Sequence, residues 1–287
     1  MKTNLNILLI VFWSLPVWGK INVVTSFTIL EDFTAQVGKK HVQIYNIIKS
    51  EQDPHSYEPS PQDIKHLKEA NLFVINGHHF EGWIEKITQA STFNGKVLIA
   101  SQGIKRLRKL HSYTDPHLWH NPENSIQYLN NIAEALSKLE PHSTSSFKQN
   151  ADHYAQQIQT LFNLQKKKFS LIPQKNRIII IPHDSLYYFG EAFGLKIYSL
   201  TGASNHHQTS AKSLAKLINL VNKNKIFTLF NEYPANSLLL KTIARETSAK
   251  IKGKLFTGAL PKRENLNTYL KTLKYNTDII LSALEEK

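Results

Sequence analysis

Thirteen histidines stand in a chain of 287 residues that has no cysteine. Metal or acid–base chemistry here must therefore run through imidazole and carboxylate. Three of the histidines share a setting. His55 lies in Asp53-Pro54-His55-Ser56-Tyr57-Glu58-Pro59-Ser60-Pro61, a loop whose three prolines stiffen the backbone. His117 lies in Asp115-Pro116-His117-Leu118-Trp119-His120-Asn121-Pro122, so the tripeptide Asp-Pro-His occurs twice. His183 directly follows the apolar run Ile178–Ile181 and Pro182. Neutral imidazole suits Zn²⁺, with bonds of about 2.0–2.1 Å, and a rigid loop pre-organises a ligand. The spacing is neither a local finger nor an HExxH pair, so the fold itself must assemble the site. A single loop histidine has many ordinary roles; the repeated setting carries the reading.

The elements that would position these residues follow from hydrophobic periodicity. Strands are predicted at Ile21–Thr25, Val42–Ile48, Leu72–Asn76 and Val97–Ser101, then at Arg177–Pro182, Lys196–Leu200, Ile226–Asn231 and Lys254–Phe256. Amphipathic helices fall between them at Ile29–Val37, Pro61–Ala70, Ala211–Val221 and Leu238–Thr247, with Ser60 and Pro61 as cap and first residue of the second. Such alternation implies an α/β protein with mainly parallel sheets flanked by helices. From about residue 124 to 169 only helical periodicity is found. Phe147, Ala151, Tyr154, Ile158 and Leu161 make one stripe on a long helix, with Ser143 as its expected N-cap. The economical architecture is two lobes, each on a four-stranded sheet, over 20–140 and 171–287, joined by a backbone helix over 141–170. All three histidines then stand at carboxyl ends of strands, where open α/β sheets bind ligands. Glu232 also ends a predicted strand, which fits it to orient an imidazole through its second nitrogen.

Residues 1–19 read as a secretory signal: Lys2, an apolar core from Ile7 to Trp13, and Val17-Trp18-Gly19 as a cleavage site. That core is too short to span a bilayer. The expected location is the periplasm, and the missing cysteine leads to the expectation of a free protein that is not a lipoprotein. The formal charge is +13. The basic residues are dispersed and the runs at 105–109 and 166–168 lack interleaved aromatics. They read as a solvated face and not as a nucleic-acid site.

At the level of motifs the sequence resembles the periplasmic zinc- and manganese-binding proteins of ABC importers, the cluster A-I solute-binding family. The resemblance rests on both Asp-Pro-His boxes, on Asn76-Gly77 with Glu81-Gly82-Trp83, on His183-Asp184 ahead of Tyr188-Phe189, and on Ile243-Ala244-Arg245-Glu246-Thr247. It implies two α/β lobes, a rigid helical backbone, and a metal in the cleft held by His55, His117 and His183. It also implies a monomeric receptor that hands Zn²⁺ to a membrane permease with a cytoplasmic ATPase, touching the inner membrane only through that permease.

Two departures from the family pattern stand out. Many members carry a fourth ligand, Asp, in a segment that reads Leu255-Phe256-Thr257-Gly258-Ala259-Leu260 here, so Gly258 leaves that place to water or another side chain. Three imidazoles without a carboxylate favour zinc over the harder Mn²⁺. The His-rich loop of many zinc members is also missing. In its stead His78-His79 and His206-His207 are candidates for an auxiliary metal site. His41, His66, His120, His142 and His153 read as surface or packing residues. The alternatives are a Mn²⁺ or Fe²⁺ receptor of the same family, or a zinc hydrolase, since three ligands plus water is also a catalytic arrangement. A hydrolase would need Asp184 or Glu232 as general base. The chain has no phosphate-binding GxxxxGK[ST] loop, and a surface adhesin, a label given to lipid-anchored relatives, is disfavoured by the missing cysteine.

Overall fold

A computed structural model describes residues 19–50, 52–105, 115–200, 211–233 and 238–286. The first half holds strands β1 (Ile21–Phe27), β2 (Val42–Ile48), β3 (Leu72–Ile75) and β4 (Lys96–Ile99). Helices α1 (Thr28–Gly38), α2 (Pro61–Lys68) and α3 (Ile84–Ser91) connect them. Two helices follow without an intervening strand, α4 (Pro122–Leu139) and α5 (Thr144–Leu171). The second half repeats the pattern with β5 (Ile178–Ile181), α6 (Tyr187–Phe193), β6 (Lys196–Ser199), α7 (Ala211–Asn224), β7 (Thr228–Tyr233), α8 (Leu238–Glu246), β8 (Lys250–Phe256) and α9 (Tyr269–Glu285).

Both sheets are parallel throughout and share one strand order, β2-β1-β3-β4 and β6-β5-β7-β8. The order reverses between the two central strands of each sheet, and that is where a crevice opens beyond the carboxyl ends. β5 is apolar throughout and buried at Ile179–Ile181, as a strand covered on both faces must be. Register sets the chemistry of its end. Ile180 stands beside Leu229 on β7, so His183 and Glu232, each three residues further on, leave the sheet side by side.

The sequence marks several boundaries correctly for physical reasons. Ser60 accepts from the Asp63 backbone and Asp63 answers on the Ser60 backbone, a complete capping box with Pro61 in the first turn of α2. Asn121 caps α4 ahead of Pro122. The long helix α5 has 28 residues, about 42 Å at 1.5 Å per residue. Its buried stripe runs Phe147, Ala151, Tyr154, Ile158 and then Phe162, Gln165 and Phe169. Leu161, expected in the stripe, is only partly buried, because a four-residue step from Ile158 to Phe162 keeps the stripe on one face. Ser143 does not cap α5. It sits in a 3₁₀ turn, and its hydroxyl bonds Glu140 and His41 instead. α6 begins at Tyr187, three residues after Asp184.

The helix α9 went unforeseen and has a positional role. It packs along α5 and reaches α1, and its first residue donates its backbone N–H to Asp32 of α1 at 2.9 Å. Tyr154 of α5 donates to the same carboxylate at 2.7 Å. Asp32 thus ties together α1, α5 and α9. A continuous apolar core runs from the first sheet through α4 and α5 into the second half, and a smaller cluster lies under α7 and α8. Among the described residues no helix is long and apolar enough to cross a membrane. The signal segment, up to residue 18, and His206-His207 lie outside the described residues.

Candidate metal centre

His55, His117 and His183 converge. Each offers a ring nitrogen, and these three atoms lie within 4.8 Å of one another. His55 Nε2 and His117 Nε2 are 3.3 Å apart. A tetrahedral ion with bonds of about 2.05 Å holds two ligand nitrogens about 3.3 Å apart, so this pair already spans one edge of a zinc tetrahedron. His117 and His183 are buried, at 1% and 6% exposure, and His55 is half-buried at the mouth.

Local chemistry explains why each ring points inward. In both boxes the aspartate accepts the backbone N–H of its histidine, Asp53 from His55 at 3.0 Å and Asp115 from His117 at 2.9 Å. The proline between them fixes the turn. Asp115 Oδ1 also takes His117 Nδ1 at 2.8 Å, which leaves Nε2 for an ion. Glu232 does the same for His183, meeting Nδ1 at 2.5 Å and the backbone N–H at 3.2 Å, while Ser185 donates to its other oxygen. Two of the three imidazoles are therefore backed by a carboxylate, half-buried Asp115 and buried Glu232, the usual support for a metal-bound histidine. The sequence pointed to Glu232 in this place and missed Asp115. The signal was available: an Asp two residues before a His can reach both its amide and its Nδ1.

Burial and charge set the protonation of this cluster. Burial drives the His117 proton off, well below the usual histidine range, and the charge of His183 adds to this. Burial works against a charged His183 too, but the charge and hydrogen bond of Glu232 outweigh it and raise its pKa. Glu232 is pushed up by burial, and His183 together with Ser185 brings it below the usual carboxylate range. Burial pushes Asp115 up to about 7, against the bond from the His117 amide. The centre can hold protons where a cation would sit, and a cation must displace them.

The remaining motifs form the frame. Asn76 at the end of β3 donates to the Pro116 carbonyl at 2.9 Å, fixing the second box. Glu81 accepts the backbone N–H groups of Asn76 and Gly77 at 2.6 and 3.1 Å, and Ser26 Oγ at 2.6 Å. Trp83 Nε1 donates to the Pro54 carbonyl at 3.4 Å, fixing the first box. Phe80 packs its ring 5.0 Å from His55 and 5.9 Å from His117. His120 is buried and not a surface residue. Its Nε2 bonds the Thr257 carbonyl at 2.8 Å, and burial holds its pKa down at about 3. Trp119 Nε1 donates to the same carbonyl at 3.2 Å. The loop carrying Gly258 is thereby tied to the second box. A Cβ at Gly258 would meet only Pro54 Cδ, at 3.9 Å.

The described residues that can hold an ion together are these three histidines. His78 and His79 are not among them. They occupy a left-handed turn after β3, with φ of 56° and 61°. His41 pairs with Glu140 at 2.8 Å, His66 stacks on Tyr45 at 3.8 Å, and His153 bonds Gln157 at 3.1 Å.

A family model described as "ZnuA: Zinc-uptake complex component A periplasmic" matches residues 23–283. The chain belongs to this family. It is similar to a metal ABC transporter substrate-binding lipoprotein of Lactococcus lactis, 28% identical over 92% of this chain and 88% of that one. It is also similar to the manganese ABC transporter substrate-binding lipoprotein PsaA of Streptococcus pneumoniae, 27% identical over 92% and 89%. Among solved structures it matches the periplasmic zinc-binding protein TroA of Treponema pallidum with a TM-score of 0.87, 26% identity and coverage of 93% and 99%. The expected fold class is borne out, and the protein is a metal ABC transporter substrate-binding protein. Such proteins are not enzymes, and they work with a permease and an ATPase. One expectation is overturned. The relatives that match over 92% of the chain are lipoproteins by name, so the protein is not set apart from lipoproteins; the missing cysteine speaks only for the sequence as it stands.

Proposed function

We propose that this family member carries Zn²⁺, bound by Nε2 of His117 and His183 and by a ring nitrogen of His55. It delivers the ion to the permease of an ABC importer. The observation that carries the reading is where the carboxylates are. Asp115 and Glu232 are spent on Nδ1 atoms and Asp53 on the His55 amide, and the ion-holding group contains imidazole alone. Imidazole suits zinc, whereas carboxylate and water suit manganese. In this reading the protein is a monomer and binds no nucleic acid. Its lobes are residues 20–140 and 171–287, with 141–170 as their connecting helix, and it docks on the permease at the membrane surface. His78-His79 would offer an outer, weaker place for the same ion.

A second reading, a Mn²⁺ receptor, is favoured by one specific finding: the pneumococcal relative is named for manganese. The test is metal analysis of protein purified without added metal, with Zn²⁺ and Mn²⁺ offered in competition, and repeated on His55→Ala. One equivalent of zinc in the parent and none in the variant is expected. Retention of manganese in preference to zinc decides for the second reading, and a full equivalent of metal in the variant refutes the site.

A further inference from the structure

A second pocket opens at the carboxyl end of the second sheet, separate from the three histidines. Tyr233 and Phe256 are the last residues of β7 and β8 and stand in register, with ring centroids 5.1 Å apart. Tyr275 of α9 continues the aromatic wall, 5.5 Å from Phe256. Lys254 lies two residues before Phe256 and so on the same face of β8, its Nζ 5.8 Å from the centre of the Tyr233 ring. Lys262 and Arg263 close the rim. The enclosed volume is about 420 Å³, within the usual range for small-molecule sites, about 300–1,000 Å³.

Its chemistry is one-sided. Among the described residues three cations and three aromatic rings line it and no carboxylate does. Three like charges around one pocket repel one another, and water screens them only partly where the walls are apolar. An anion with a flat apolar body relieves that repulsion: its charged group takes the ammonium and guanidinium groups, and its ring lies against tyrosine and phenylalanine. The pocket lies beyond the carboxyl ends of β7 and β8, one strand away from the switch point between β5 and β7. We propose that this pocket binds a small aromatic anion, an aryl phosphate or aromatic carboxylate.

The test is calorimetric titration of the metal-free full-length protein with phenyl phosphate, with inorganic phosphate as the probe lacking a ring. Metal is left out so that phosphate cannot act through it, which makes the outcome independent of the zinc reading. Saturable one-to-one binding of phenyl phosphate is expected, about tenfold tighter than inorganic phosphate. Lys254→Gln and Arg263→Gln should each weaken it about tenfold, the usual cost of one charged hydrogen bond. Tyr275→Leu should abolish the preference for the ring and leave phosphate binding as it was. Thermal melts of the three variants establish that each is folded. Absence of saturable binding in the parent, equal affinity for the two probes, or binding unaffected by both charge substitutions would overturn the proposal.

Discussion

Glu232→Gln separates orientation of the His183 ring from mere filling of space. The amide keeps the shape of a side chain that is 2% exposed, but removes the charge that meets His183 Nδ1 at 2.5 Å and the full acceptor strength offered to the His183 amide and Ser185. Loss of such a backing carboxylate costs about 10–100-fold in metal affinity, or about 1.4–2.8 kcal/mol. The pH dependence has a definite sign. Glu232 raises the His183 pKa, so in the parent protons compete with zinc from a higher pH downward. In the variant His183 is less basic and that competition begins lower. The two affinities should therefore lie furthest apart on the alkaline side of the raised His183 pKa and draw together as the pH falls through it. Stability of the metal-free protein follows the same pair. The Glu232 contribution, with its pKa lowered on folding, is present above the unfolded carboxylate value of about 4.3. It is lost as pH falls through the lower folded pKa. The His183 contribution is present below about 6.5 and lost as pH rises through its raised folded value. Between those limits the pair stabilises fully, and the variant should melt lower there by the equivalent of about 1–3 kcal/mol. Competition with a fluorescent chelator measures affinity, and melts across pH measure stability. A variant that binds zinc within about twofold of the parent on that alkaline side, against the tenfold minimum expected, would refute the orienting role even if it melts lower.

Gly258→Asp should restore a fourth ligand, since a Cβ there meets only Pro54 Cδ at 3.9 Å; competitive metal analysis should show manganese retention rising relative to the parent. Ser60→Ala removes the capping box of α2 and should cost about 1 kcal/mol in a denaturant melt, while zinc affinity changes little because Trp83 still holds Pro54. Phe162→Ala, in the fully packed stripe of α5, should cost about 3–5 kcal/mol, read as a large fall in melting temperature. Asp115→Asn should weaken zinc binding about tenfold or more by chelator competition, with the fold retained by circular dichroism.

Much of the fold was legible because the signals are local. β-branched runs, several followed by a stripe of helical period, describe all eight strands to within a few residues. The largest errors have one cause. β7 lies two residues later than expected at both ends and β8 begins four residues earlier, around the bulge between Leu229 and Asn231, because a bulge breaks the period of two. α9 was passed over because its partners lie far away in sequence: Asp32 on α1, and Gln165, which donates to Asp278 at 2.8 Å. Leu161 was taken for Phe162 because a helix stripe drifts and only its neighbours fix which side chain is innermost. At the site, His55, His117 and His183 were found by their place at strand ends. Asp115 and the role of Thr257, whose carbonyl receives both Trp119 and His120, depend on where side chains end up.

The parts of the centre that are not histidine decide how it works. Asp-Pro-His is a device for aiming a ring: the carboxylate takes the amide, the proline forbids other turns, and the imidazole has one direction left. In the first box Asp53 takes the amide, and His55 stays half-buried at the mouth. The second box adds a bond to Nδ1, and His183 receives its equivalent from the next strand through Glu232. The ring nearest solvent is thus the half-buried one, and the two deep rings are braced by carboxylates that would otherwise compete to bind the ion. This division suits capture. An ion can first meet the half-buried ring at the mouth and then the pair whose orientation costs no further ordering.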